Sequence, residues 1–125
     1  MLRLIQMSLS WELIPLEKLL FTIYQDAINK NNPFLRGLAV RTMGCIRIKD
    51  VTVYLCDPLK KALKDEDAYV RKTGVLCVPK LYEIDPKLIE EEGFLRLVEN
   101  LLNDGNATVV SNAVASLSIC SEIKG

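Results

Sequence analysis

A motif of twelve residues that occurs three times is the feature that most constrains how this chain folds. The copies read INKNNPFLRGLA at 28–39, LKDEDAYVRKTG at 63–74 and LNDGNATVVSNA at 102–113. The polar residue near the middle of each copy is Asn32, Asp67 or Asn106, and these are 35 and then 39 residues apart. A repeat of roughly 35 to 45 residues is typical of an α-solenoid, in which every repeat is a pair of helices.

The apolar residues before each copy keep one register. They stand at positions i, i+1, i+4, i+7 and i+8, which is the spacing of one face of an α-helix. The aligned sets are Leu20, Phe21, Tyr24, Ala27 and Ile28; Leu55, Cys56, Leu59, Ala62 and Leu63; and Phe94, Leu95, Val98, Leu101 and Leu102. The sequence therefore predicts an all-α fold, an α-solenoid of about three helical hairpins of the HEAT or armadillo type.

The predicted organisation is a single domain over 1–125. We expect its repeats at about 11–47, 50–83 and 86–123. Ser10 is the predicted N-cap of the first helix, because a serine hydroxyl accepts a hydrogen bond from an unpaired N–H at a helix start. Gly93 falls inside the first helix of the third repeat, and we expect an interruption there. Val70 occupies a predicted core position in the second repeat.

Charge and motif content argue against enzymes and nucleic-acid binders. Sixteen basic residues balance sixteen acidic ones, so the basic face typical of a nucleic-acid partner is not expected. Histidine, the most common general base and metal ligand, is absent from the sequence. No phosphate-binding loop, nucleophile elbow or dinucleotide fingerprint is present. We interpret the acidic triplets at 65–67 and 90–92 as a capping turn and a solvated face, and expect no cofactor and no metal.

The four cysteines indicate a reducing compartment. Cys45, Cys56, Cys77 and Cys120 are too widely spaced for a zinc or redox motif. The first three are predicted on apolar helix faces, so we expect reduced thiols that react slowly. Polar residues interrupt the first twenty positions, and no apolar run approaches the roughly 20 residues that cross a bilayer. We therefore expect a soluble intracellular chain.

Two arginines occupy the same place in successive repeats. Arg36 follows Asn32 by four residues, and Arg71 follows Asp67 by four. The first interpretation is a structural ladder, in which each arginine hydrogen-bonds to the polar turn of its own or a neighbouring repeat. The second is a basic row that binds phosphate groups. We favour the ladder because both arginines follow a predicted core residue, and we expect it to stop at Val110.

A group of lysines is a further candidate site. Lys60, Lys61, Lys64 and Lys72 could together form a weak basic surface, with Arg41, Arg47 and Lys49 near it. Such residues usually solvate helix faces, and Lys60 is predicted on an exposed one. The alternative is a site for a phosphoinositide or an acidic partner.

Four segments are similar to one known family. They are FLRGLAVRTMGCIR at 34–47, YLCDPLKKALKDEDAYVRKT at 54–73, EGFL at 92–95 and VVSNAVASL at 109–117. Over about residues 32–122 the chain resembles the β subunit of clathrin adaptor complexes, the β-adaptins. Residues before about Leu19 depart from the family's pattern.

The resemblance implies a segment of the N-terminal trunk of a large adaptor subunit, a non-enzymatic scaffold in vesicle-mediated intracellular protein transport. The implied partners are the other large, the medium and the small adaptor subunits, with peripheral membrane association through the complex. The implied location is cytoplasmic, on coated vesicles, the Golgi or the plasma membrane. In this family clathrin binds to a linker that this sequence lacks, so we expect clathrin contact only through such regions.

A free-standing HEAT-type protein-binding module, unrelated to coats, is the alternative function. The repeats alone fit both functions, because α-solenoids serve many partners. Co-purification with adaptor subunits distinguishes them.

Overall fold

The computed structural model describes residues 16–125, which form seven α-helices and contain no β-strand. The helices are α1 Leu16–Ala27, α2 Pro33–Cys45, α3 Lys49–Leu63, α4 Ala68–Ile84, α5 Pro86–Glu91, α6 Phe94–Asn100 and α7 Ala107–Lys124, with a 3₁₀ turn at Leu101–Asn103. The predicted all-α class is confirmed. The predicted N-cap Ser10 and the predicted helix start near residue 11 lie outside the described residues.

The central polar residue of each motif copy begins a helix. In all three copies its side chain accepts a backbone N–H from the first turn. The bonds are Leu35 N to Asn32 Oδ1 at 3.0 Å, Tyr69 N to Asp67 Oδ1 at 2.8 Å and Thr108 N to Asn106 Oδ1 at 2.9 Å. Such a cap contributes about 1 kcal/mol of stability. The repeated motif is therefore the start of the second helix of a hairpin.

The helices pack in two layers. Helices α2, α4 and α7 lie side by side in one layer, with α4 in the middle. Helices α1, α3 and α6 cover them from the other side, as α1 packs on α2, α3 on α4 and α6 on α7. One apolar core runs through both layers, and Ile23, Leu55, Val70, Phe94 and Ala113 belong to it. This two-layer stack of hairpins is an α-solenoid.

Gly93 separates α5 from α6 in the third hairpin. Its φ angle is +78°, a left-handed conformation in which a side chain is strained. The interruption that the sequence predicted is therefore a change of backbone direction between two short helices.

Gly93→Ala is expected to lower the free energy of unfolding by about 1 kcal/mol because of this backbone strain. A Cβ added at Gly93 or at Gly105 meets no atom within 4 Å, so neither change causes a clash. Gly105 does not have a positive φ angle. Gly105→Ala is the matched control, and chemical denaturation should find it neutral or slightly stabilising. Equal losses in the two variants would contradict the strain at Gly93.

The cysteines differ from the sequence prediction at one position. Cys56, Cys77 and Cys120 are buried, and burial raises the pKa of Cys56 to about 11 and of Cys77 to about 12. Cys45, predicted on an apolar face, is exposed. It follows the buried Met43 by two residues, which is about 200° around a helix. The apolar-face prediction for Cys45 is therefore wrong.

Thiol labelling of the native protein is expected to show one fast cysteine and three slow ones. Cys45 is accessible to the reagent, whereas the other three are buried and, at Cys56 and Cys77, held as thiols by raised pKa values. Cys45→Ser should remove the fast phase, and denaturant should release the slow ones. A fast phase that survives Cys45→Ser would contradict this burial.

Within residues 16–125, none of the helices has the length and apolar character needed to cross a membrane.

Candidate functional site

Arg36 joins the first hairpin to the second. Its Nε and Nη2 atoms donate to the two carboxylate oxygens of Asp65, at 2.8 and 2.9 Å. Its Nη1 atom donates to the backbone carbonyl of Asn29, at 2.8 Å, in the turn of its own hairpin. The arginine is buried, so this paired geometry is held away from water.

Arg71 repeats the arrangement one hairpin further along. Its Nε and Nη2 atoms donate to Asp104 at 2.8 and 3.1 Å. Its Nη1 atom donates to the carbonyls of Asp65 and Glu66, at 2.8 and 3.0 Å. Each arginine thus connects the turn of its own hairpin to an aspartate of the next.

The two aspartates also shape the turns in which they lie. Asp65 Oδ1 accepts the backbone N–H of Asp67 at 2.9 Å, and Asp104 Oδ1 accepts that of Asn106 at 2.8 Å. Both accept a bidentate arginine with the same carboxylate. We name the two arginines and two aspartates, Arg36 with Asp65 and Arg71 with Asp104, the inter-repeat ladder.

The arginines bond to polar turns of their own and the next hairpin, but the acceptors in those turns are not the ladder candidates Asn32 and Asp67. Asn32 and Asp67 are helix caps, and the arginine acceptors stand two residues before a cap, at Asp65 and Asp104. The sequence contained a usable signal, because that position holds Asp65 and Asp104 in the two copies that follow a repeat with an arginine, and Lys30 in the first copy.

The pairing shifts the pKa values of both aspartates. Burial raises the pKa of Asp65, but hydrogen bonds from Arg36 and the Asp67 amide outweigh it and hold the pKa below its ordinary value. At Asp104 the hydrogen bond from Arg71 is the largest cause, and it also lowers the pKa. The hydrogen bond to Asp65 raises the pKa of Arg36. Both aspartates are therefore ionised at neutral pH.

Acid is expected to weaken the fold through these aspartates. A carboxyl group whose pKa is lower in the folded state stabilises the fold above its unfolded pKa of about 3.9, and this contribution is lost as pH falls through the folded pKa. Asp104→Asn should lower the free energy of unfolding most at pH 7, with a difference from wild type that shrinks towards pH 3. A difference that stays constant with pH would contradict a depressed pKa at Asp104.

The four candidate lysines have different surroundings. Lys60 donates to Glu92 at 2.5 Å and lies 5.7 Å from the centre of the Phe94 ring, so it is not free on an exposed face as predicted. Lys61 on α3 and Lys64 at its C-cap are exposed. Lys72 lies 5.5 Å from the centre of the Tyr69 ring. It lines a groove across α2, α4 and α7, whereas Lys60, Lys61 and Lys64 do not.

The acidic side chains have structural roles. No group of three or more metal-ligating side chains is suitably placed in the described part of the chain. Asp65 of the first triplet pairs with Arg36. From the second triplet, Glu90 accepts the Tyr82 hydroxyl at 2.6 Å, and this hydrogen bond raises the pKa of Tyr82 to about 12.

Known proteins of similar sequence identify the family. The AP-1 complex subunit beta of Dictyostelium discoideum is 53% identical over 100 residues, which are 80% of this chain and 11% of the relative. The AP-1 complex subunit beta-1 of Homo sapiens is 57% identical over 91 residues, which are 73% of this chain and 10% of the relative. The chain belongs to the β-adaptin family.

A yeast β subunit is also similar in sequence to this chain. The AP-1 complex subunit beta-1 of Saccharomyces cerevisiae is 43% identical over 86 residues, 69% of this chain and 12% of the relative. The chain thus spans about a tenth of the length of the curated relatives it matches.

Residues 34–125 match a family model described as non-SMC mitotic condensation complex subunit 1, so the chain also belongs to that family. The matched range includes both arginine–aspartate pairs.

Proposed function

We propose that this β-adaptin chain is a non-enzymatic scaffold segment of an adaptor-complex large subunit, acting in vesicle-mediated protein transport. The observation that carries the proposal is the 57% identity to the human AP-1 complex subunit beta-1 over 73% of the chain. In this proposal residues 1–125 form one trunk segment, with repeats at about 11–47, 50–83 and 86–123. No cofactor or nucleic acid takes part.

The scaffold acts by presenting stacked helices to partner chains. The inter-repeat ladder fixes each hairpin against the next, because a bidentate pair between rigid elements restricts both distance and orientation. Fixed angles between hairpins set the curvature of a solenoid and hence the shape of its binding surface. In this role Arg36, Arg71, Asp65 and Asp104 are structural residues.

Apolar side chains at the surface are the proposed contacts for partners. Several large ones remain exposed at either end of the described stack, namely Phe21 on α1, Ile28 directly after it, and Val114, Ile119 and Ile123 on α7. Exposed apolar residues grouped in this way mark interaction sites. The proposed partners are the other large, the medium and the small adaptor subunits, and the proposed location is cytoplasmic, peripheral on coated vesicles, Golgi or plasma membrane through the complex.

The matching family model suggests a second candidate function, because its description refers to mitotic condensation. We favour the adaptor function because the individual relatives with 43% to 57% identity are AP-1 β subunits. A free-standing HEAT-type module remains the alternative function.

Co-expression of the tagged chain with the other large, medium and small subunits of an AP-1 complex tests the proposal. We expect at least one of these subunits to be retained with the chain. Val114→Asp with Ile119→Asp should reduce retention, and Ser118→Asp with Ser121→Asp on the same helix is the control. Retention of none of them would favour the free-standing module.

A further inference from the structure

A groove crosses the layer formed by α2, α4 and α7. It encloses about 480 Å³ and is lined by side chains from all three helices. It lies apart from the inter-repeat ladder, whose four residues do not line it. The groove is therefore separate from the contacts that hold the hairpins together.

The groove is positively charged. Arg41 on α2 and Lys72 and Lys80 on α4 line it, and no acidic residue does. The structure gives these three cations no ion-pair partner among residues 16–125, whereas five other basic side chains are paired. The whole chain has a formal net charge of zero. Three unpaired cations in one concave site are thus a local excess that attracts an anionic ligand.

Two close approaches build the groove. A Cβ added at Gly44 would lie 2.9 Å from Cδ of Lys80, so the absent side chain at Gly44 leaves room for the lysine stem across α2. A Cβ at Gly37 would lie 2.3 Å from the Tyr69 ring, so Tyr69 packs directly on that helix. Tyr69 also stacks on Phe34, with ring centres 5.7 Å apart. The groove has a fixed aromatic wall beside its cations.

The lining also contains apolar and hydrogen-bonding groups suited to a polypeptide. Leu76 is 41% exposed within the groove, which leaves an apolar contact for a side chain. Thr108 and Asn112 of α7 add polar groups on the opposite side. Three neighbouring helices span about 20 Å at 8–10 Å between axes, and about six extended residues cover that distance.

The geometry points to a binding site for an acidic polypeptide segment of another protein, extended across α2, α4 and α7. Its carboxylates pair with Arg41, Lys72 and Lys80, and one apolar side chain contacts Leu76 and Tyr69. We favour a peptide over a membrane because the site is a groove with an apolar and aromatic lining across three helices, rather than a flat basic face. The inference does not depend on assembly with adaptor subunits, since it concerns the chain alone.

Binding of a fluorescein-labelled peptide with six glutamates around a central leucine and tyrosine tests this site. The 125-residue chain should bind it, and affinity should fall as salt rises. Arg41→Glu with Lys80→Glu should weaken binding at least about tenfold. Both residues are exposed, so the variant keeps the fold. Lys61→Glu with Lys64→Glu, the α3 variant, makes the same charge change at an exposed position of α3 and at its exposed C-cap, and should weaken binding less than about threefold.

Three results would overturn the inference. The first is no binding of the peptide up to about 1 mM. The second is equal loss in the groove variant and the α3 variant, which would mean attraction by overall charge. The third is binding to phosphatidylcholine–phosphatidylserine vesicles that the groove variant loses while peptide binding is unchanged, which would make the groove a membrane site. A Leu76→Ser variant that weakens peptide binding with circular dichroism unchanged would support the apolar contact.

Discussion

Val70→Asp is expected to abolish the folded state at room temperature. Val70 lies in the core on α4, the middle helix of its layer, and is 1% exposed. A carboxylate placed there loses its hydration without gaining a partner, which costs on the order of several kcal/mol. The net stability of a domain is only about 5–15 kcal/mol, so most of it would be lost. Circular dichroism should show loss of helix or aggregation.

Leu76→Asp is the matched control for this substitution. It introduces the same aspartate for an aliphatic residue of the same helix, but Leu76 is 41% exposed and its carboxylate stays hydrated. We expect a loss of about 1 kcal/mol or less. Similar losses in the two variants would mean that the two-layer arrangement around α4 is wrong.

Arg71→Ala is expected to lower the free energy of unfolding by about 3 kcal/mol. The side chains of Arg71 and Asp104 are only 18% and 9% exposed, and removing the guanidinium leaves a nearly buried carboxylate without its partner. Breaking a buried pair in this way costs about 3–5 kcal/mol, and the residual exposure favours the lower end. Urea denaturation of wild type and variant measures the difference.

Arg47→Ala provides the control. Arg47, which follows α2, also pairs with Glu83 of α4 at 2.8 Å, but these two side chains are 51% and 59% exposed. An exposed pair contributes about 0–1 kcal/mol, because water and salt screen it. If Arg47→Ala costs as much as Arg71→Ala, burial of the ladder is not what makes it important.

The fold could be predicted from the sequence because the same twelve-residue motif occurs three times, at the spacing of helical hairpins. The cap residues Asn32, Asp67 and Asn106 recur at the helix starts, and local capping chemistry needs no tertiary information. The interruption near Gly93 was predictable for the same reason, since glycine permits a left-handed backbone.

The side-chain partners could not be predicted in the same way. Arg36 pairs with Asp65 across 29 residues, so the choice among nearby acceptors depends on how two hairpins stack. The pairing of Lys60 with Glu92 and the exposure of Cys45 also depend on packing between elements. Repeat spacing places residues along helices, but only the assembled layers decide which side chains meet.

Co-purification of a chimeric subunit tests the central claim most directly. The claim is that this chain is a working segment of an adaptor β subunit. In it, the matching 91 residues of the human AP-1 complex subunit beta-1 are replaced by those of this chain. The chimera is co-expressed with the other three subunits and purified through a tag on itself. The same chimera with Val70→Asp is the control for folding of the inserted segment.

We expect the chimera to co-purify with all three partner subunits in equal amounts, and the Val70→Asp control to lose them. The surrounding human sequence supplies the rest of the subunit, so the outcome depends on whether the replaced segment stacks correctly and presents compatible surfaces. A soluble, helical chimera that recovers none of the three partners would contradict the adaptor function.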